Sequence, residues 1–125
     1  MRSLAIMSLL ATMTAGCNNR YEALTAPPPG LTASLDDENN SIRLSRGVSL
    51  GFECQTSGGD PCNQGVASND SAIALVFPAA LDGVGGPDFM HGPQPRTAFV
   101  VVGIAEGQTS VQAGGESLSV RVLLR

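Results

Sequence analysis

From residue 41 to the end of this chain, apolar and polar side chains alternate with a period of two rather than 3.6. Ile42 and Leu44 alternate with Ser41, Arg43 and Ser45. Val48, Leu50, Phe52 and Cys54 alternate with Ser49, Gly51, Glu53 and Gln55, and Leu118, Val120, Val122 and Leu124 repeat the pattern against Ser117, Ser119 and Arg121. Such alternation predicts strands with one face on a core and one in water. Thr109-Ser110-Val111-Gln112-Ala113 is a shorter alternating strand between Glu106-Gly107 and Gly114-Gly115. Residues 72–77 and 98–104 are apolar on both faces and rich in Val and Ile, which predicts central strands. With a short piece near Val66, the pattern predicts about seven strands and no helical stripe. Short strands separated by turn signals point to an all-β sandwich.

Composition narrows this picture. The chain has 125 residues, enough for one domain. Only 4% of them are aromatic, so the core rests on Val, Leu, Ile and Ala. Gly (15) and Pro (8) favour turns over long helices. All seven basic residues are Arg, and the formal charge is −4, which argues against a nucleic-acid-binding surface.

The amino terminus reads as an address. Arg2 precedes residues 4–13, which carry no charge. That length fits the apolar core of a secretory signal and is too short to span a bilayer. Thr14-Ala15-Gly16-Cys17 follows at once and resembles the lipobox of bacterial lipoproteins, with Thr14 standing where Leu is usual. The resemblance implies that Cys17 receives a diacylglyceryl group, that residues 1–16 are removed, and that the new amino terminus is acylated as well. The other reading is an ordinary signal peptide cut at Ala15 or Gly16. Lipidation has a physical argument in its favour, because a free terminal thiol is reactive in an oxidising compartment. By the enterobacterial sorting pattern, Asn18 after the Cys implies the outer membrane. Loss of Arg2 takes the charge from −4 to −5. Such a chain gains nothing from anionic lipid, so the acyl chains must hold it. Residues 17–39, with Pro27-Pro28-Pro29-Gly30, read as the lipidated Cys and a flexible tether. Asp36-Asp37-Glu38-Asn39-Asn40 reads as a solvated turn and lacks the alternating oxygen ligands of a calcium loop.

Residues 40–125 then form the predicted domain. Gly103-Ile104-Ala105-Glu106-Gly107-Gln108-Thr109-Ser110-Val111-Gln112-Ala113 resembles the hallmark segment of bacterial Ig-like domains of group 2. Ser68-Asn69-Asp70-Ser71-Ala72-Ile73-Ala74-Leu75-Val76 resembles that family's strand entry, and Ser117-Leu118-Ser119-Val120-Arg121-Val122 its closing strand. The resemblance implies an Ig-like β-sandwich and a role in adhesion or architecture at the cell surface. Two features depart from it. Val66 stands where the family often has Trp, and residues 78–97 form a long loop where the family has a short turn.

Candidate chemistry is sparse. Once Cys17 is set aside, Cys54 and Cys62 are an even pair, and Gly58-Gly59-Asp60-Pro61 between them can turn the chain back. They read as a disulfide, with free thiols or a metal as the alternatives; without a nearby His the pair is an incomplete zinc site. His91, the only histidine, lies in the 78–97 loop near Asp88, Phe89 and Met90, and reads as a solvent-exposed loop residue. No serine sits in a nucleophile elbow, and there is no phosphate loop, dinucleotide fingerprint or zinc motif. The expectation is therefore a non-enzymatic module without cofactor or metal. It is anchored in the cell envelope by a lipid and presents itself to a protein or glycan partner or serves a structural role. Leu81, Phe89, Met90 and His91 are the candidate partner-binding residues. The alternative is a small-ligand-binding or hydrolytic protein with its site in the same loop.

Overall fold

The structure is a computed structural model that describes residues 19–81 and 96–125, and the side chains of Ala80 and Leu81 fall outside the description. The alternating segments form strands as their period requires. Among the described residues there are nine strands: β1 (Arg20–Ala23), β2 (Ala33–Asp36), β3 (Ser41–Ser45), β4 (Ser49–Gln55), β5 (Val66–Ser68), β6 (Ala74–Leu81), β7 (Arg96–Gly103), β8 (Gly107–Ala113) and β9 (Glu116–Leu123). They build two sheets, of order β1-β4-β7-β6 and β2-β3-β9-β8-β5. In chain order, the first matches the A-B-E-D sheet of an immunoglobulin constant-type sandwich, and β5-β8-β9 match its C-F-G sheet. Pairing is antiparallel except between β3 and β9, which run parallel with Ile42 beside Val120 and Leu44 beside Val122. The molecule is thus all-β, an Ig-like sandwich.

The inward positions of both sheets make one core. Leu50, Phe52 and Cys54 from β4 meet Phe99 and Val101 from β7, and Ile42, Leu44, Val111, Leu118, Val120 and Val122 come from the other sheet. Three of the few aromatic residues fill its centre. Phe52 lies 5.6 Å from Phe99 and 5.9 Å from Tyr21 between ring centroids, the latter edge-on. Gly103 ends β7 against the opposite sheet, where a Cβ would come within 3.0 Å of the Ser45 carbonyl oxygen. A side chain there would force the Ser45 backbone or Val122 to give way.

Cys54 and Cys62 are disulfide-bonded, with Cα atoms 5.6 Å apart. The loop between them turns back through hydrogen bonds from Thr56 N to the Asp60 carbonyl and from Gly59 N to the Thr56 carbonyl. By loop-closure entropy such a bridge contributes about 2–3 kcal/mol.

Three expectations need correction. The stretch 17–39 is not simply a tether, because β1 and β2 lie within it, one in each sheet. This raises the strand count from about seven to nine. The apolar run at 72–77 does not become a central strand: β7 is central, but β6 is an edge. The long loop is also shorter than 78–97. Pro78 to Leu81 continue β6 and pair with Arg96 to Phe99 of β7, so only residues 82–95 lie between the paired ends. Pro78, which cannot donate a ladder hydrogen bond, is tolerated because β6 is an edge.

Candidate functional site

One end of the sandwich holds Cys54, Cys62 and the backbone of Leu81, the described residues among those singled out by sequence. β1 enters there, β4 and β6 end there, and β7 begins there. Arg20 pairs with Gln55, Cys54 with Thr97, and Leu81 with Arg96. The disulfide closes this end, and Thr97 Oγ1 donates to the Cys62 carbonyl at 2.6 Å. Asn19, two residues beyond Cys17, is pinned to the β8–β9 turn. Its backbone N donates to Glu116 Oε1 at 2.9 Å, and its Nδ2 donates to the Gly114 carbonyl at 2.7 Å. Glu116 also accepts from Asn40 Nδ2, which ties the β2–β3 turn to the same point.

Tyr21 is the anchor beneath this cluster. Its ring is buried, its hydroxyl donates to the Ala113 carbonyl at 2.7 Å, and its backbone N donates to Asp37 Oδ1 at 2.8 Å. Burial pushes the phenol above its ordinary value, and the charges of Glu116 and Asp37 push the same way against a hydrogen bond with Asn19. A raised acid pKa means that the neutral form is favoured by folding. That stability is fully present below pH about 10 and is lost as pH rises through the folded-state value. Tyr21→Phe is expected to cost about 0.5–1.5 kcal/mol at neutral pH. It should also flatten the alkaline fall of stability in urea titrations from pH 7 to 11. An alkaline limb as steep as in the unsubstituted protein would exclude Tyr21 as its source.

The acids of this end hold structure. Asp36 accepts from the backbone of Glu38 and Asn39 and from Asn39 Nδ2, and the Asn39 side chain is the main cause of its lowered pKa. Asp36 to Asn40 therefore form a hydrogen-bonded turn. Glu53 faces outward from β4 yet is buried; it accepts from Gln55 Nε2 at 3.0 Å and forms an ion pair with Arg96 at 3.3 Å. An open groove runs among Arg20, Tyr21, Glu22, Asp37, Glu53 and Gln55. Its rim mixes both signs of charge, and Asp37 and Glu53 are already engaged. Among the described residues, no group of three His, Cys, Asp or Glu side chains is placed to hold a metal ion.

Of the residues expected from sequence to act, the structure brings Cys54 and Cys62 together and places the backbone of Leu81 at the tip of the β6–β7 ladder. Cys17, Phe89, Met90 and His91 lie outside the described residues.

The two outer faces of the sandwich differ in chemistry, which sequence reasoning missed. On the β2-β3-β9-β8-β5 sheet the outward residues include Ser34, Ser41, Arg43, Gln108, Ser110, Gln112, Ser117, Ser119 and Arg121, with Ala67 and the half-buried Leu123 the apolar ones among them. Arg43 and Arg121 are register partners across the parallel pair, both exposed, and neither forms a salt bridge among the described residues. On the β1-β4-β7-β6 sheet, Leu75 pairs with Val102 and Phe77 with Val100, all four outward, and Phe77 is 47% exposed. The signal for this face was the loss of alternation in residues 72–77 and 98–104. Apolar residues on both sides imply burial only in a covered strand. Here they expose an apolar surface.

No family model matches the sequence, and no characterised protein was found to match it. Solved structures similar to this chain include domains 4 and 5 of the S-layer protein SbsC. That match is 17% identical, covers 90% of this chain and 80% of that one, and has a TM-score of 0.42. A larger structure of the same surface-layer protein, domains 1–6, is also 17% identical, with 91% of this chain and 21% of that one covered and a TM-score of 0.43.

Proposed function

We propose that this chain is a lipoprotein of the cell envelope, held in the outer membrane by acylated Cys17 and displaying a non-catalytic Ig-like module to a partner. The observation that carries this reading is Cys17 itself, which closes Thr14-Ala15-Gly16-Cys17 behind an uncharged run and a single Arg. The Cys54–Cys62 disulfide supports an exported protein, because such bonds persist in oxidising compartments. The display role is supported by polar side chains at the Asn19 end that are spent on the fold: Asp36 and Asp37 on turns and on β1, Asn19 and Glu116 on the β8–β9 turn. The surface for display is the Ser- and Gln-rich sheet face. Arg43 and Arg121, side by side at a cost in mutual repulsion, suit a protein or glycan partner bearing carboxylate or phosphate groups there.

Intact-mass analysis of the protein extracted from membranes should show loss of residues 1–16 and the added mass of acyl chains. Cys17→Ser should move the protein from the membrane to the soluble fraction, or leave it unprocessed. A mature chain that begins elsewhere and carries no lipid overturns the reading.

A further inference from the structure

We infer that the domain does not stand off the membrane but lies on it, with the outer face of the β1-β4-β7-β6 sheet against the lipid headgroups and upper acyl chains. This rests on the lipid anchor proposed above. The first observation is how short the connection is. Asn19 is fixed to the β8–β9 turn through two hydrogen bonds, and only Asn18 separates it from Cys17. Two residues span at most about 7 Å. An acyl group on Cys17 would thus be joined to the folded domain by no more than that reach, too short for a spacer.

The second observation is which sheet the anchor adjoins. Asn19 leads directly into β1, an edge strand of the β1-β4-β7-β6 sheet. The outer face of that same sheet is charged at its Arg20–Gln55 end, with Arg20, Glu22, Glu53 and Arg96, and apolar farther along, where Phe77 and Val100 lie in register with Gly51, Leu75 and Val102 with Ser49, and Leu24 is also exposed. The other outer face is polar and carries Arg43 and Arg121. A lipid surface is the occupant that both facts select. The anchor holds the bilayer near the Arg20–Gln55 end of this sheet, and a sheet lying flat from there brings Phe77 and Leu75, farther along the same face, to the lipid. The end nearest the anchor is rimmed by Arg20 and Arg96 together with Glu22, Glu53 and Asp37. Arginines at that height reach phosphate groups while their stems lie on apolar surface. The mixed rim suits a zwitterionic headgroup layer better than a strongly anionic one. Seated this way, the polar face with Arg43 and Arg121 points away from the membrane.

The sequence contains no Trp, so a single introduced one reports its own surroundings. Phe77→Trp and Leu75→Trp place it on the apolar face, and Gln108→Trp places it on the polar face. Each acylated mature protein, its acyl mass verified, is reconstituted into phosphatidylcholine vesicles with or without brominated acyl chains. The proposal expects Phe77→Trp and Leu75→Trp to be quenched by brominated lipid and shielded severalfold from aqueous iodide, with Gln108→Trp behaving in the opposite way. If the protein carries no acyl chains, the anchor reading fails and the seating with it. If it is acylated and iodide reaches Phe77→Trp as readily as Gln108→Trp, the seating alone is overturned. Shielding of Phe77→Trp from both quenchers, growing with protein density in the membrane, also overturns it and identifies a second copy as the occupant.

Discussion

Phe52→Ala is expected to destabilise the domain by about 3–5 kcal/mol. Phe52 is fully buried at the middle of β4 and lies between the rings of Tyr21 and Phe99. The neighbouring Tyr21 ring is held by its hydroxyl bond to the Ala113 carbonyl and Phe99 is fixed on β7, so neither is free to fill the space. Its surroundings are β-sheet positions whose spacing is set by ladder hydrogen bonds, so the cavity stays open. A small domain has about 5–15 kcal/mol in all. The loss is therefore a large share of the total, and urea unfolding should show a midpoint far below that of the unsubstituted protein. Phe52→Leu, which leaves most of the volume filled, should cost less than half as much. Equal costs for the two would mean that the site collapses on truncation and that the core is looser than the packing shows.

Gly114→Ala is expected to cost about 2–5 kcal/mol, combining left-handed backbone strain with overpacking. Gly114 has φ +72°, and a Cβ there would lie 2.8 Å from Cys54 Sγ and 2.9 Å from Cys62 Cβ. The β8–β9 turn thus closes directly onto the disulfide, and neither can shift without the other. The coupling can be measured. In a Cys54→Ala/Cys62→Ala background the Sγ atom is gone, and the penalty of Gly114→Ala should fall by a kcal/mol or more, a non-additivity typical of touching residues. An unchanged penalty in that background would leave backbone strain and the 2.9 Å approach to the residue-62 Cβ, which alanine keeps, as its causes.

Where one sheet face is buried and the other wet, the chain announces its strands. β3, β4, β8 and β9 follow from Ile42-Leu44, Leu50-Phe52-Cys54, Val111-Ala113 and Leu118-Val120-Val122 because these inward residues are apolar and most residues between them are polar. The disulfide follows from the count of cysteines and the turn between them. Other features depend on what each strand pairs with. β1 is only Arg20–Ala23, with Tyr21 its sole buried residue, and it forms because β4 offers a free edge. β2 is equally short and follows Pro27-Pro28-Pro29-Gly30, which by composition alone looks like spacer. In β6, Leu75 and Phe77 face outward at an edge. Local pattern cannot separate that from full burial, because both give the same unbroken apolar run. The polar contacts around Asn19 were not legible for the same reason. Asn19 and Glu116 are 97 positions apart and meet only through topology.

The parallel pairing of β3 with β9 also bears on when this domain can form during synthesis. β9 is not an edge that can be added last; it lies between β3 and β8, and the β2–β3 hairpin reaches the rest of its sheet only through it. Until residues 116–123 have left the ribosome, one whole layer has no continuous ladder and the core no lid. A contact such as Ile42 with Val120 closes most of the chain in one loop, the kind of non-local pairing that makes folding slow. The nascent polypeptide therefore cannot close its sandwich until nearly the whole of it has been made.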